Sequence, residues 1–321
     1  MPNTRRSFLE SATLAAAFSA GGSSPLQGQQ VRPPGAPAAP PRNDTPRKPA
    51  SEVQVPKMKF GGVEISRLIV GCNPFYGFAH FNNTLGTVMR EYYTQERVCE
   101  VLHQCSRFGI NAHNFVLLGR AQQDWERFLS EGGKMHLIVQ GMGDPAPTYN
   151  ALKPLAIYHH GEVTDRAFQN DQMATVKDWC KKARDLGVMV GVGSHKPEVL
   201  AKVEDEGWDV DFYAGCVYNR TRTADEWKRV LNNELVEMQG ECYLRSDPPR
   251  MYQFMRQTKK PCFAFKIMAA GRIDDRGADQ AFRTAFESIK PIDGVFIGLF
   301  PRVKDEVREN AERVHRILVG A

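Results

Sequence analysis

The 321-residue chain has no apolar run approaching the ~20 residues that a spanning helix takes, which excludes a multi-span membrane protein. It has little excess of charge: 42 basic residues against 37 acidic ones leave a net charge of +5. Part of that surplus comes from Arg5, Arg6, Arg32, Arg42, Arg47 and Lys48, set against Glu10, Asp44 and Glu52. From Lys57 onward the chain is close to neutral. No basic stripe alternates with aromatics, so nothing predicts nucleic-acid binding. There is no CxxC pair and no HExxH, and the cysteines (Cys72, Cys99, Cys105, Cys180, Cys216, Cys242, Cys262) are odd in number. Buried free thiols are the expectation, with one disulfide as the alternative. What the chain does have is 42% hydrophobic and 25% charged residues. These are ordinary globular values, which exclude a wholly disordered or collagen-like chain.

The N-terminus reads Thr4-Arg5-Arg6-Ser7-Phe8-Leu9, followed by a mildly apolar run from Ala12 to Ala20. A basic start, a short apolar stretch and small residues, in that order, predict a bacterial signal peptide over 1–20. The paired arginines with Phe8 and Leu9 resemble the twin-arginine export signal, which is read by a receptor, the twin-arginine translocase. The expected location is therefore periplasmic or extracellular, with the protein exported already folded. Residues 21–56 are rich in Pro, Gly, Ser and Gln and read as a disordered linker. Residues 57–321 remain for one catalytic domain.

From Met58 on, short apolar runs alternate with longer amphipathic ones. Strands are predicted over Leu68–Cys72, Ile110–Phe115, His136–Gln140, Ala156–His160, Val188–Val192, Asp211–Val217, Cys262–Ile267 and Gly294–Ile297. Apolar spacings of three and four predict helices over Thr94–Phe108, Gln122–Ser130, Asp171–Leu186, Pro197–Glu206, Ala278–Ile289 and Lys304–Leu318. The crossover Gly141–Pro154 is short, and Asn219–Lys260 has room for two helices. Eight such units fit a (β/α)8 TIM barrel. A doubly wound sheet is the alternative, but no Gly-rich turn follows the first strand. A barrel places its active site at the C-terminal strand ends. The residues there are Asn73, His113, Asn114, Gln140, His159, His160, Glu162, Ser194, His195, Tyr218, Asn219, Lys266 and Gly298.

Several segments resemble the aldo/keto reductase superfamily: KFGGVEISRLIVGCNPFYG up to Gly77, Gly109-Ile110-Asn111, GVMVGVGSHKPEVLAKVEDEGWDVDFYAGCVYN over 187–219, CFAFKIMAAG over 262–271 and VFIGLFPRVKDEVREN over 295–310. The resemblance implies an aldo/keto-reductase-like barrel that reduces carbonyls with NADP(H). Its catalytic set departs from the family pattern. The Asp position falls on Asn114, the Tyr position near Leu118 or Gly119, and the Lys position on Gln140 or Gly141. The His position falls on His159 or His160. The strand-five Ser-Asn pair reads Ser194-His195, and the strand-six Gln falls near Gly215. For the cofactor, the resemblance points to Ser194, His195, Asn219, Gly298, Arg302, Lys304, Arg308 and Asn310.

Three readings follow. In the first, an atypical oxidoreductase acts on a sugar, polyol or other small hydroxy-carbonyl compound. His160 is then the leading catalytic residue, with Lys266, Asn114 and Tyr218 around it. Lys266 ends an apolar strand, where burial depresses an amine's pKa. In the second, a divalent metal such as Zn sits on His113, His160, His195 and Glu162 and serves a lyase, isomerase or hydrolase. Strand alternation limits this set, because adjacent residues such as His159 and His160, or His113 and Asn114, cannot both face the axis. In the third, the barrel binds a ligand without catalysis. The aromatics between Phe75 and Tyr93 are either a lid over a sugar-like substrate or a loop packed on itself.

Overall fold

The computed structural model describes residues 47–231 and 241–320. The expected signal peptide, and the expected linker up to residue 46, lie outside the described residues. A hairpin opens the domain: β1 (Lys57–Phe60) pairs antiparallel with β2 (Val63–Ser66). Eight strands follow: β3 (Leu68–Gly71), β4 (Ala112–Phe115), β5 (His136–Gly141), β6 (Ala156–His159), β7 (Met189–Ser194), β8 (Phe212–Cys216), β9 (Cys262–Phe265) and β10 (Gly294–Gly298). They pair in parallel in the order β10-β3-β4-β5-β6-β7-β8-β9 and close into a ring. The fold is a (β/α)8 TIM barrel. Closure leaves no sheet edge, which sets aside the doubly wound alternative.

The helices are α1 (Asn83–Tyr92), α2 (Gln95–Arg107), α3 (Ala121–Ser130), α4 (Pro145–Leu152), α5 (Gly161–Gln169), α6 (Met173–Asp185), α7 (Pro197–Asp205), α8 (Ala224–Val230), α9 (Asp247–Gln257), α10 (Asp275–Ser288) and α11 (Glu306–Val319). Two of these, α1 and α5, go beyond the sequence expectation. Each starts on a side-chain cap, a local signal that outweighs weak apolar spacing. Asn82 Oδ1 accepts from Leu85 N at 2.7 Å, and His160 Nδ1 accepts from Glu162 N at 3.2 Å. The barrel unit also begins earlier than residue 57, at Lys48. Val53 and Val55 are buried in the core, and Val55 N donates to Phe108 O at 2.9 Å. All seven cysteines are free, and six of them are buried.

Strand alternation sorts the core into two layers. Val70, Val139, Ile157, Val190, Val192, Tyr213 and Val295 belong to the large cluster that packs barrel against helices. Ile69, Ala112, Ile138, Ala156, Tyr158, Phe212, Phe263 and Phe296 fill the inside, with Met58, Phe60 and Ile65 of the hairpin closing the bottom. Phe60 meets Phe212 and Phe263 edge-on at 5.2 and 5.1 Å. These rings fit because β7 contributes no bulk there. A Cβ on Gly191 would lie 2.5 Å from the Phe212 ring. Gly191→Ala is expected to cost about 1–3 kcal/mol by overpacking. Urea unfolding checks this, and an unchanged midpoint would show that the ring yields freely.

Candidate active site at the barrel mouth

At the C-terminal strand ends the barrel opens into a cavity of about 420 Å³. Asn114, Gln140, Tyr158, Phe265 and Phe296 line it from β4, β5, β6, β9 and β10. Asn114 Nδ2 donates to Tyr158 Oη at 3.0 Å, and Tyr158 donates to Gln140 Oε1 at 3.2 Å. This trio is uncharged. Burial pushes the Tyr158 hydroxyl's pKa well above its ordinary value, against the bond from Asn114. It can orient hydroxyl and carbonyl groups but surrenders a proton reluctantly. Gly71 and Gly298 leave bare backbone in the wall. A Cβ on Gly298 would come within 2.8 Å of Pro74 Cγ.

Lys266 follows directly on β9 and faces the same cavity. Its φ is 63°, and Ala269 and Ala270 follow at 49° and 52°. Three non-glycine residues in the left-handed region cost about 1–3 kcal/mol each, and such strain collects at functional clamps. Burial pushes the Lys266 amine down to about 8, although Cys216 and Glu241 pull the other way. Its carboxylate neighbour Glu241 is crowded. Glu241 takes His80 Nδ1 at 2.7 Å, Arg220 Nη2 at 2.5 Å and the Tyr243 hydroxyl, while Lys266 Nζ stands off at 3.4 Å. Burial raises the Glu241 carboxyl, but His80, Lys266 and Arg220 together hold it well below the usual range. Arg272 ties the surrounding loops by donating to His80 O at 3.0 Å and Glu241 O at 2.7 Å.

The histidines are spent elsewhere. His113 lies in the outer layer, where Nδ1 bonds Val70 O at 2.9 Å and the ring packs among Phe75, Phe115 and Trp125. His159 also faces outward, bonded to Thr164 Oγ1 at 2.7 Å and packed on Trp179. His160 caps α5 and does not line the cavity. His195 is buried, with Nδ1 bonded at 2.7 Å to Asp165, a fully buried carboxylate that also takes Ser194 Oγ and Thr221 Oγ1. The expected metal set of His113, His160, His195 and Glu162 is therefore corrected. His113 is on the wrong face of β4, and Glu162 is paired with Arg166 and, at 3.0 Å, with Arg220. Among the described residues, no group of three His, Cys, Asp or Glu side chains could hold a metal ion.

The other expected residues divide in the same way. Asn114, Lys266, Gly298, Lys304 and Asn310 line the cavity. Tyr218 does not: it packs edge-on against Tyr243 at 5.0 Å. Ser194 is turned onto Asp165, and Asn219 Oδ1 accepts from Thr221 N at 3.2 Å. Arg302 sits in a separate shallow groove beside Tyr92, and Arg308 lies over Phe108 at 4.9 Å. Lys304 is paired with Asp275 and Glu309, and Arg313 with Asp279 and Glu309. Of the residues expected to hold the cofactor, Gly298, Lys304 and Asn310 face the cavity, with Lys304 already ion-paired, while the strand-five and strand-six residues are turned away. Of the aromatic loop, Phe75 and Tyr93 are buried, while Phe78 and Phe81 stay exposed near the mouth.

Sequence reasoning missed Tyr158, Glu241 and Arg220 as site residues. Tyr158 had a signal. Ala156 and Tyr158 share one face of β6, so the inward residue before the strand end is the tyrosine, not His159. Glu241 lies in the long crossover, where no periodicity marks it.

No family model matches the chain, and no curated protein matches it. It is similar to the solved structure of a proposed 2,5-diketo-D-gluconic acid reductase B, at 10% identity over 84% of this chain and 88% of that one, with a TM-score of 0.48. It is also similar to a sugar phosphate isomerase/epimerase from Parabacteroides distasonis, at 10% identity over 79% and 94%, with a TM-score of 0.39. These likenesses carry no argument about chemistry. The barrel rests on its own closed ring of strands.

Proposed function

We propose that this chain is an enzyme that binds a small hydroxy-carbonyl compound, sugar- or polyol-like, in the barrel mouth and transforms it at the carbonyl carbon. The observation that supports this is the pairing of the uncharged Asn114–Tyr158–Gln140 trio with aromatic walls from Phe78, Phe265 and Phe296. Amides and a phenol satisfy hydroxyl groups, and aromatic faces take the C–H side of a polyol. The Arg5-Arg6 motif supports action outside the cytoplasm, after export by the twin-arginine translocase. In this reading Tyr158 turns its one hydroxyl hydrogen from Gln140 Oε1 onto the carbonyl, while Asn114 continues to donate to the phenol oxygen. Tyr158→Phe is expected to lower turnover about 10²–10³-fold, the cost of one oxyanion donor. A panel of trioses, aldoses and polyols, assayed by product-detecting mass spectrometry, checks this. Full activity in the variant would remove Tyr158 from the mechanism.

The second reading is redox chemistry as in the aldo/keto reductases. It is favoured by the cavity's extension from Tyr158 to Lys304 and Asn310. NADPH fluorescence titration decides it: saturable binding supports it, and no binding retires it.

A further inference from the structure

We propose that Lys266 is a covalent catalyst that forms an imine with the carbonyl of the substrate. The inference rests on the proposed hydroxy-carbonyl reading and names the chemistry of that same site.

Three geometric facts carry it. Lys266 lines the cavity shared with Tyr158, Asn114 and Gln140, so its amine and a polarised carbonyl occupy one space. It is the loosest partner of Glu241. The carboxylate is already taken by His80, Arg220 and Tyr243, and the 3.4 Å contact to Nζ is longer than a charge-assisted bond. A structural lysine would be held more closely. The backbone at Lys266, Ala269 and Ala270 is left-handed, so the segment that carries the amine is strained into place. Burial adds to this by leaving a larger share of the amine uncharged near neutral pH, and only the uncharged amine is a nucleophile.

The step balances without an outside reagent. Nζ bonds to the carbonyl carbon, and the C=O π pair moves to oxygen, which takes one proton from nitrogen. The C–O bond then breaks, and the oxygen leaves as water with the second nitrogen proton. A C=N bond remains. The imine nitrogen then takes a proton from water, and the resulting iminium is a better electron sink than the ketone, so it labilises the bonds at the neighbouring carbon. The class of reaction that follows is carbon–carbon cleavage, condensation or tautomerisation of the hydroxy-carbonyl compound.

The test uses dihydroxyacetone as probe with sodium borohydride as trap, on the intact protein, with peptide mapping by mass spectrometry. The expected result is one reduced triose on Lys266, formed faster than on any surface lysine. Trapping at this position should rise between pH 7 and 9. The charged and titratable groups that face Lys266 are Glu241, Arg220, His80, His195 and Cys216. Lys266→Met should lower total trapping at least about tenfold while the far-ultraviolet circular dichroism is kept. Xylitol, which has no carbonyl, separates this inference from the reading beneath it. A saturable thermal shift with xylitol that weakens in Tyr158→Phe, together with no selective trapping at Lys266, overturns the imine and leaves the hydroxy-carbonyl site standing. No xylitol shift and no trapping overturns both.

Discussion

Asp165→Ala is expected to destabilise the barrel by about 3–5 kcal/mol, because it orphans several buried donors at about 1–3 kcal/mol each. Asp165 is fully buried in the second turn of α5. It accepts from His195 Nδ1 at 2.7 Å, His195 N at 3.1 Å, Thr221 Oγ1 at 2.8 Å and the Ser194 hydroxyl. Alanine leaves all four donors without that partner in a region closed to water, and each orphan costs desolvation energy. The carboxylate also joins α5 to the end of β7 and to the loop after β8, so its loss loosens three crossovers at once. Asp165→Asn retains an acceptor and the volume, and should lose about half as much. Urea unfolding at neutral pH measures both. A loss below about 1 kcal/mol for the alanine variant would show that water or repacking replaces the carboxylate.

A second large effect is expected on acidification. Burial holds the imidazoles of His113, His159 and His160 down to about 4. In the unfolded chain they take their protons near 6.5. Between those values the unfolded state binds more protons, so stability is complete above about 6.5 and drains as pH falls toward 4. Each imidazole withholds roughly 3 kcal/mol by the acid end of that window. Asp124, Asp293 and Glu306, whose carboxyls burial holds above their ordinary values, act with the opposite sign. The cleanest measurement is therefore a difference. His113→Phe removes one imidazole from an aromatic nest of Phe75, Phe115 and Trp125. It should be less acid-sensitive than the parent by about 2 kcal/mol between pH 7.5 and 5. Identical pH slopes would mean that His113 already titrates normally in the fold.

The placement of these histidines explains why the site was harder to read than the barrel. Imidazoles near strand ends suggest ligands, yet parity sends His113 and His159 outward, and an N-cap claims His160. Of the polar trio, the amides Asn114 and Gln140 stood at expected strand ends, and the tyrosine was the member passed over.

All eight barrel strands were legible as apolar runs, because parallel strands buried on both faces need them. The long helices were legible from their spacing. Asn114 and Lys266 were legible because each stands at the C-terminal end of such a run. What only the tertiary structure decided is which polar groups meet. The Asp165 partners Ser194, His195 and Thr221 are 29 to 56 residues away in sequence. Glu241 gathers His80, Arg220 and Lys266 from three different loops. Strand period fixes the direction of a side chain, but contacts among loops depend on barrel closure, which brings together ends that no local pattern connects.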